Sequence, residues 1–412
     1  MTAESAIKGF LISSATRRLL LAVAIVGAAT FLYGVLAGDA IRAWQALLVN
    51  FLFFTGLAHG GVVLSALMHA TSARWGRPLK RVAEATVAFL PIAFLILMVL
   101  LIGTPAWAPW VHEPVEAKQP WLNIPFFVTR QTVGFLVLGG LSLAFVYQSL
   151  RPDIGMLHES GERKSMGLAR RLIARWQGIS HERDKSQRWQ NVLAPAVLIA
   201  YAWVYTLVAF DFVMSLDPHW FSTLMGGYYF IGNLVSSIAF VAVVGALGRE
   251  RLNIQKSVGP QQLHDIGKLL FGFCILWAYM LWSQYLVIWY GDLPEETGFI
   301  AHRMNGVWAP LTWTVLLLAF AVPFVALLSR EIKTRVRGLT TIALIALVGM
   351  WLERFLLVAP SLWHGEGLPI GIQELFITAG VLGLFGFSYT AFLQTFPVLA
   401  ISDPRLPRTN GH

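Results

Sequence analysis

HDIGKLLFGFCILWAYMLWSQYLVIWYGDLPEET, His264 to Thr297, decides what kind of chain this is. It opens on a polar turn with Asp265 and Lys268, and then 23 residues, Leu269 to Gly291, carry no charge. As a helix, such a run is about 34 Å long, enough to cross a hydrocarbon core of about 30 Å. Trp282, Tyr285, Trp289 and Tyr290 crowd the far end, where amphipathic rings favour the membrane–water interface. An acidic loop, Asp292 to Glu296, follows. The stretch therefore predicts a transmembrane helix running from a basic face to an acidic outer one.

Composition agrees. Hydrophobic residues make up 56% of the 412, and charged residues only 13%, far below the roughly 25% of a soluble domain. The net charge of +9 is read from where Lys and Arg lie. They gather on one side of the spans, which is a topology signal and not a nucleic-acid footprint. The single cysteine, Cys274, lies mid-span and excludes an internal disulfide or a four-cysteine cluster. The N-terminal apolar run continues to Leu36 without a small-residue cleavage site, which predicts a retained first helix.

Ten spans are expected, near 19–37, 45–68, 82–103, 127–149, 192–214, 224–247, 269–290, 307–328, 339–359 and 372–397. With these spans, 26 Lys and Arg fall on one side and five (Arg42, Lys118, Arg130, Arg303, Arg354) on the other. The alternation places both termini in the cytoplasm of a bacterial inner membrane. A missed helix would scramble the pattern after it. The whole chain reads as one polytopic all-α domain with one long cytoplasmic loop, 151–191. Within that loop, ERKSMGLARRLIARWQG suits either an amphipathic helix on the anionic leaflet or a solvated basic linker. In the outer loops, Trp107, Trp110, Trp121, Trp220 and Trp363 are candidate interface anchors or docking residues. Asp217-Pro218 should stop one helix, with Ser222 or Thr223 capping the next.

Ionisable residues inside a membrane are costly and face the bundle interior, so they are the site candidates. They are His59 mid-way through span 2, Glu84 near the inner end of span 3, Asp211 near the outer end of span 5, Glu353 and Arg354 in span 9, and Glu374 at the start of span 10. His59 can relay a proton or hydrogen-bond a neighbouring helix. Bis-histidine haem would need a second His at matched depth, but His69 lies at the helix end and the other eight lie in loops or at helix ends. No spacing assembles a metal site or a catalytic constellation. Glu84 follows Lys80 by one turn, so an ordinary i,i+4 pair competes with proton intake. Glu353 and Arg354 are adjacent, which predicts partners on other helices, with Asp211 or Glu374 within reach of Arg354. Asn50, Asn233 and Gln284 could continue a water-lined path.

Two runs, DFVMSLDPHWFSTLMGGYYFIGN (Asp211 to Asn233) and LHDIGKLLFGF…WAYMLWSQYLVIWYGDLPEET (Leu263 to Thr297), carry a resemblance. They resemble the ActF-type membrane subunits of bacterial alternative complex III, a branch of the polysulfide-reductase NrfD family. The resemblance implies two four-helix bundles flanked by the first and last helix. It also implies a non-redox subunit that holds no cofactor of its own and contributes a proton path within a complex oxidising membrane quinol. The partners it implies are a larger NrfD-like membrane subunit, an iron–sulfur subunit, multihaem and monohaem cytochrome c subunits, and a terminal oxidase in some assemblies. Iron–sulfur clusters and c-type haems would then sit in those partners. Two alternatives stay open. One is a quinol-binding subunit with its pocket at His59. The other is a secondary transporter, suggested by Pro91 and Pro323 within spans and Gly226-Gly227 at the start of one.

Overall fold

The computed structural model describes residues 12–160 and 171–406, which are helical with no strand among them. Ten helices are long and apolar enough to span a membrane. They are α1 (Ser14–Ala37), α2 (Ala40–Ala70), α3 (Arg77–Ile102), α4 (Ile124–Glu159), α5 (Ile179–Phe212), α6 (Met225–Leu247), α7 (Pro260–Gly291), α8 (Gly306–Leu328), α9 (Val336–Leu362) and α10 (Ile372–Thr395). In lipid every backbone polar group must be satisfied within the protein, which is why the chain folds as helices. Several starts are set by a side chain: Ser13 accepts from the Thr16 amide, Asp39 from Arg42 and Asn123 from Phe126. At the far end of α7, Asp292 takes the left-handed conformation (φ 44°) and returns its amide to the Ile288 carbonyl.

Helices α2–α5 form one four-helix bundle and α6–α9 a second, joined where α2 and α5 pack on α6 and where α2 meets α9. Helix α10 pairs with α1 and lies against α2 and α3. Helix α2 is the axle: every residue of its apolar window is buried, against 17% for α1. Close approach depends on glycine here. A Cβ on Gly56 would sit 2.3 Å from Asn233 Oδ1, and one on Gly60 would sit 2.2 Å from Ser237 Oγ. Membrane helices gain little from the hydrophobic effect between themselves, so small residues that admit close packing carry the association.

Prolines inside the helices show the same accounting. Pro152 has no amide for the Gln148 carbonyl, which instead accepts from Ser186 Oγ on α5 at 2.6 Å. Pro360 orphans the Leu356 carbonyl, and Arg303 Nε donates to it at 3.1 Å. Before Pro91, α3 tightens to a 3-10 turn at Ala85–Phe89, and the Leu90 amide takes the Val87 carbonyl. Before Pro323, α8 widens to a π turn at Leu317–Ala321. Neither helix is broken. The discontinuous midplane helices that a transporter reading needs are absent among the described residues.

Several expectations need correction. The 151–191 stretch is not one long loop. Helix α4 continues to Glu159 and α5 begins at Ile179, because polar residues extend helices beyond the apolar core once neighbours satisfy them. Residues 162–170 of the expected amphipathic segment lie outside the described residues. Of the rest, Ile173 is buried and Trp176 packs over Gly155 while donating to Glu159 at 2.6 Å. Neither Ser222 nor Thr223 caps α6, whose N-cap is Leu224 with no side-chain bond. Trp107, Trp110 and Trp220 are interior packing residues and not interface anchors. Trp220 stacks on Phe299 with ring centroids 3.8 Å apart.

Candidate functional site: a buried polar ladder beside α2

Helix α2 runs from the acidic, aromatic face to the basic one, and ionisable groups meet it at three depths. At the basic end lies a dense ionic cluster. Glu84 on α3 is fully buried and accepts from Ser65 Oγ of α2 at 2.9 Å and from Ser149 Oγ of α4 at 3.1 Å. Arg81 pairs with both Glu84 and Asp153. Lys80 Nζ lies 3.8 Å from Glu84 and 3.6 Å from Asp403, and donates to Gln190 Oε1 at 3.0 Å. The expected i,i+4 partner of Glu84 is thus present, but it is one of several and the site is buried. Burial alone would raise the Asp403 carboxyl, yet Lys80 and Arg77 together hold it below its ordinary value. Beside this cluster is a cavity of about 20 Å³, room for about one water.

Near mid-depth, the Tyr205 hydroxyl donates to the Thr55 carbonyl at 2.8 Å, so His59 Nδ1 donates to the Tyr205 oxygen at 2.9 Å. That assigns the proton to Nδ1 and leaves Nε2 as an acceptor. Nε2 is buried with no protein partner, as is Thr55 Oγ1. His59, Thr55 and Gln131 line a second cavity of about 20 Å³ together with Phe51, Phe135 and Tyr205. A cavity of that size admits a water but not a quinol ring, so a quinol pocket centred on His59 does not fit this geometry.

Toward the acidic face, Gln131 connects the cavity to Asp211 on α5 by donating to its carboxylate. Arg130 holds Asp211 bidentately, Nε to Oδ2 at 2.6 Å and Nη2 to Oδ1 at 2.8 Å, and Trp121 Nε1 donates at 3.0 Å. The guanidinium is stacked on Trp121, 4.1 Å from the ring centroid.

Glu353 and Arg354 form a branch in the second bundle. Adjacency does not separate them: the Arg354 side chain is long enough to fold back, and Nη1 pairs with Glu353 Oε2. Neither Asp211 nor Glu374 partners Arg354, because Arg130 already holds the first and Arg42 the second. Arg354 Nη2 instead donates to Asn233 Oδ1 at 2.9 Å and to the Tyr229 carbonyl at 3.1 Å, with the guanidinium 4.0 Å from the Tyr229 ring centroid. Tyr229 stacks on Tyr205, with centroids 6.2 Å apart, and so the branch reaches the His59 level. Glu374 lies apart. It clamps α10 to α2 through Arg42 at 2.7 and 2.8 Å and accepts the Gly371 amide at 2.8 Å, a helix-start role.

Asn50 bonds Trp351 and Thr378 across helices and does not open onto the ladder. Asn233 joins it through Arg354, while Gln284 Oε1 is buried without a partner. Sequence reasoning missed Asp153, Asp403, Tyr205 and Gln131. Only Asp153 left a signal, as an acid directly after Arg151-Pro152 at the inner end of span 4. Among the described residues no group of three His, Cys, Asp or Glu side chains converges as metal ligands would.

Ten apolar helices enclosing a ladder of paired ionisable groups define a multi-pass membrane protein. The model of the polysulphide reductase NrfD family matches residues 34–364, and the chain belongs to that family. It is therefore a membrane subunit of a redox enzyme complex. It is also similar to a selenate reductase subunit of Mesobacillus selenatarsenatis, 20% identical over 382 residues covering 86% of each chain.

Proposed function

We propose that this chain is the non-redox membrane subunit of a quinol:electron-acceptor oxidoreductase of the alternative complex III type, and that it carries protons along the ladder beside α2. The observation that carries the reading is the succession Glu84–Ser65, His59–Tyr205 and Gln131–Asp211, with the buried Nε2 of His59 facing a water-sized cavity. Between Ser65 and His59 the helix rise leaves about 9 Å, a gap that water or rotamer motion must cover. Glu353 and Arg354 form a side branch, and Asp211 with Arg130 a fixed charge pair toward the outer face. Glu374 is left as a clamp.

In this reading the protein lies in the bacterial inner membrane with both termini cytoplasmic. Iron–sulfur clusters and c-type haems belong to the partners: a larger NrfD-like subunit, an iron–sulfur subunit and cytochromes c, with a terminal oxidase where one is attached. The likeness to a selenate reductase supports a redox complex and widens the range of acceptors to an oxyanion.

The test is proton movement by the assembled complex in liposomes. Glu84→Gln and His59→Leu should each abolish most proton movement while quinol turnover in a proton-leaky membrane continues. Undiminished proton movement in both variants overturns the reading.

A second reading, quinol binding by this chain, is favoured by one feature. A membrane-facing groove of about 420 Å³ lies between α3, α4 and α10, apolar except for Tyr147, Ser388 and Thr395. A photoreactive quinone analogue that labels only the neighbouring subunits counts against it.

A further inference from the structure

We propose that Asp403, on the segment following α10, is the proton-collecting carboxylate at the basic-face mouth of the ladder, with Lys80 relaying between it and Glu84. The proposal rests on the proton-carrying reading above and adds to it a residue outside every span.

After Thr395 the chain does not leave the bundle. Phe396, Val398, Leu399 and Ala400 are buried, and the Ser402 amide donates to Asp153 Oδ1 at 2.7 Å. Asp403 then accepts from Arg77 Nη1 at 2.9 Å, and its other oxygen accepts the Arg405 amide at 3.0 Å. The segment thereby forms one wall of the water-sized cavity, facing His69, Lys80, Gln187 and Gln190. Side-chain exposure falls from 10% at Asp403 to 3% at Lys80 and none at Glu84, which sets the direction from solution to interior. The tail is held by its buried apolar residues, by the Arg77 and Asp153 contacts, and by Arg405 Nη1 donating to the His69 carbonyl at 3.4 Å. It does not need an ammonium held 3.6 Å from one carboxylate and 3.8 Å from the next.

The transfer balances. A proton from water protonates Asp403. The Lys80 ammonium gives a proton to Glu84 and regains one from Asp403, so the lysine ends charged and Glu84 ends neutral. Arg77, Arg81 and Arg405 keep their charge throughout.

The experiment uses the whole complex in liposomes and follows proton uptake from the basic face alongside turnover in a proton-leaky membrane. Asp403→Asn should slow uptake by roughly 10²-fold, the low end of what a positioned proton-transfer group contributes, and leave leaky turnover unchanged. Asp403→Glu should restore uptake, and so should azide added to the amide variant, because a small weak acid can carry protons into the cavity. A purely structural role would not respond to azide, so slowed uptake without either rescue overturns the proposal. If Glu84→Gln blocks uptake while Asp403→Asn does not, the intake assignment falls and the ladder stands. If neither variant matters and His59→Leu also leaves proton movement undiminished, both readings fall. Should the amide variant assemble poorly, Lys80→Gln carries the same test, since Lys80 does not hold the tail backbone.

Discussion

Asp211 and His59 are both buried ionisable groups, yet their surroundings assign them different work. Asp211 has every oxygen direction occupied by Arg130, Gln131 or Trp121. Replacing it with Asn strands a guanidinium that is only 5% exposed. The expected cost is about 3–5 kcal/mol, as for other broken buried pairs, read as a fall in thermal stability of the purified complex. The double variant Arg130→Met/Asp211→Leu should recover part of that loss, because it removes both charges together. His59→Leu, by contrast, should cost about 1 kcal/mol, since Tyr205 keeps its bond to Thr55. The candidates were legible in the sequence because charge inside an apolar run is conspicuous. Their partners were not. Arg130 and Asp211 are 81 residues apart, and nothing local joins them.

At the scale of the helix, α2 is organised by where it has no side chain. Gly56→Ala or Gly60→Ala drives a methyl into Asn233 or Ser237, and each should cost about 1–3 kcal/mol by overpacking the contact between the bundles. Gly140→Ala meets nothing within 4 Å and should be neutral or slightly stabilising. Thermal denaturation of the three variants in one detergent compares them directly, and equal behaviour would mean that the α2–α6 contact does not depend on close backbone approach. The prolines make a related point. Each marks a place where a helix surrenders a backbone bond, but the donors that replace it, Ser186 and Arg303, come from other elements and could not be read from the proline itself.

For the whole molecule, the two faces differ in charge, which makes sidedness testable. Lys256 lies exposed in a basic turn and Glu295 exposed beyond the aromatic end of α7, while native Cys274 is fully buried and should stay silent to an impermeant maleimide. Lys256→Cys should label only from the cytoplasmic side, and Glu295→Cys only from the opposite side. The reverse pattern, or labelling of both from one side, would invert the proposed topology and with it the direction of the ladder.

The linear order of apolar runs and basic turns determined the all-helical class and the tenfold crossing. A bilayer imposes a one-dimensional rule: a span must be long enough, and its charges must stay on their side. Rotation about each helix axis is a different matter. Spans that are apolar nearly all round carry little signal for which face turns inward. Packing therefore decided that Arg354 folds back on Glu353, that Arg42 takes Glu374, and that a tail beyond the last span closes over Lys80.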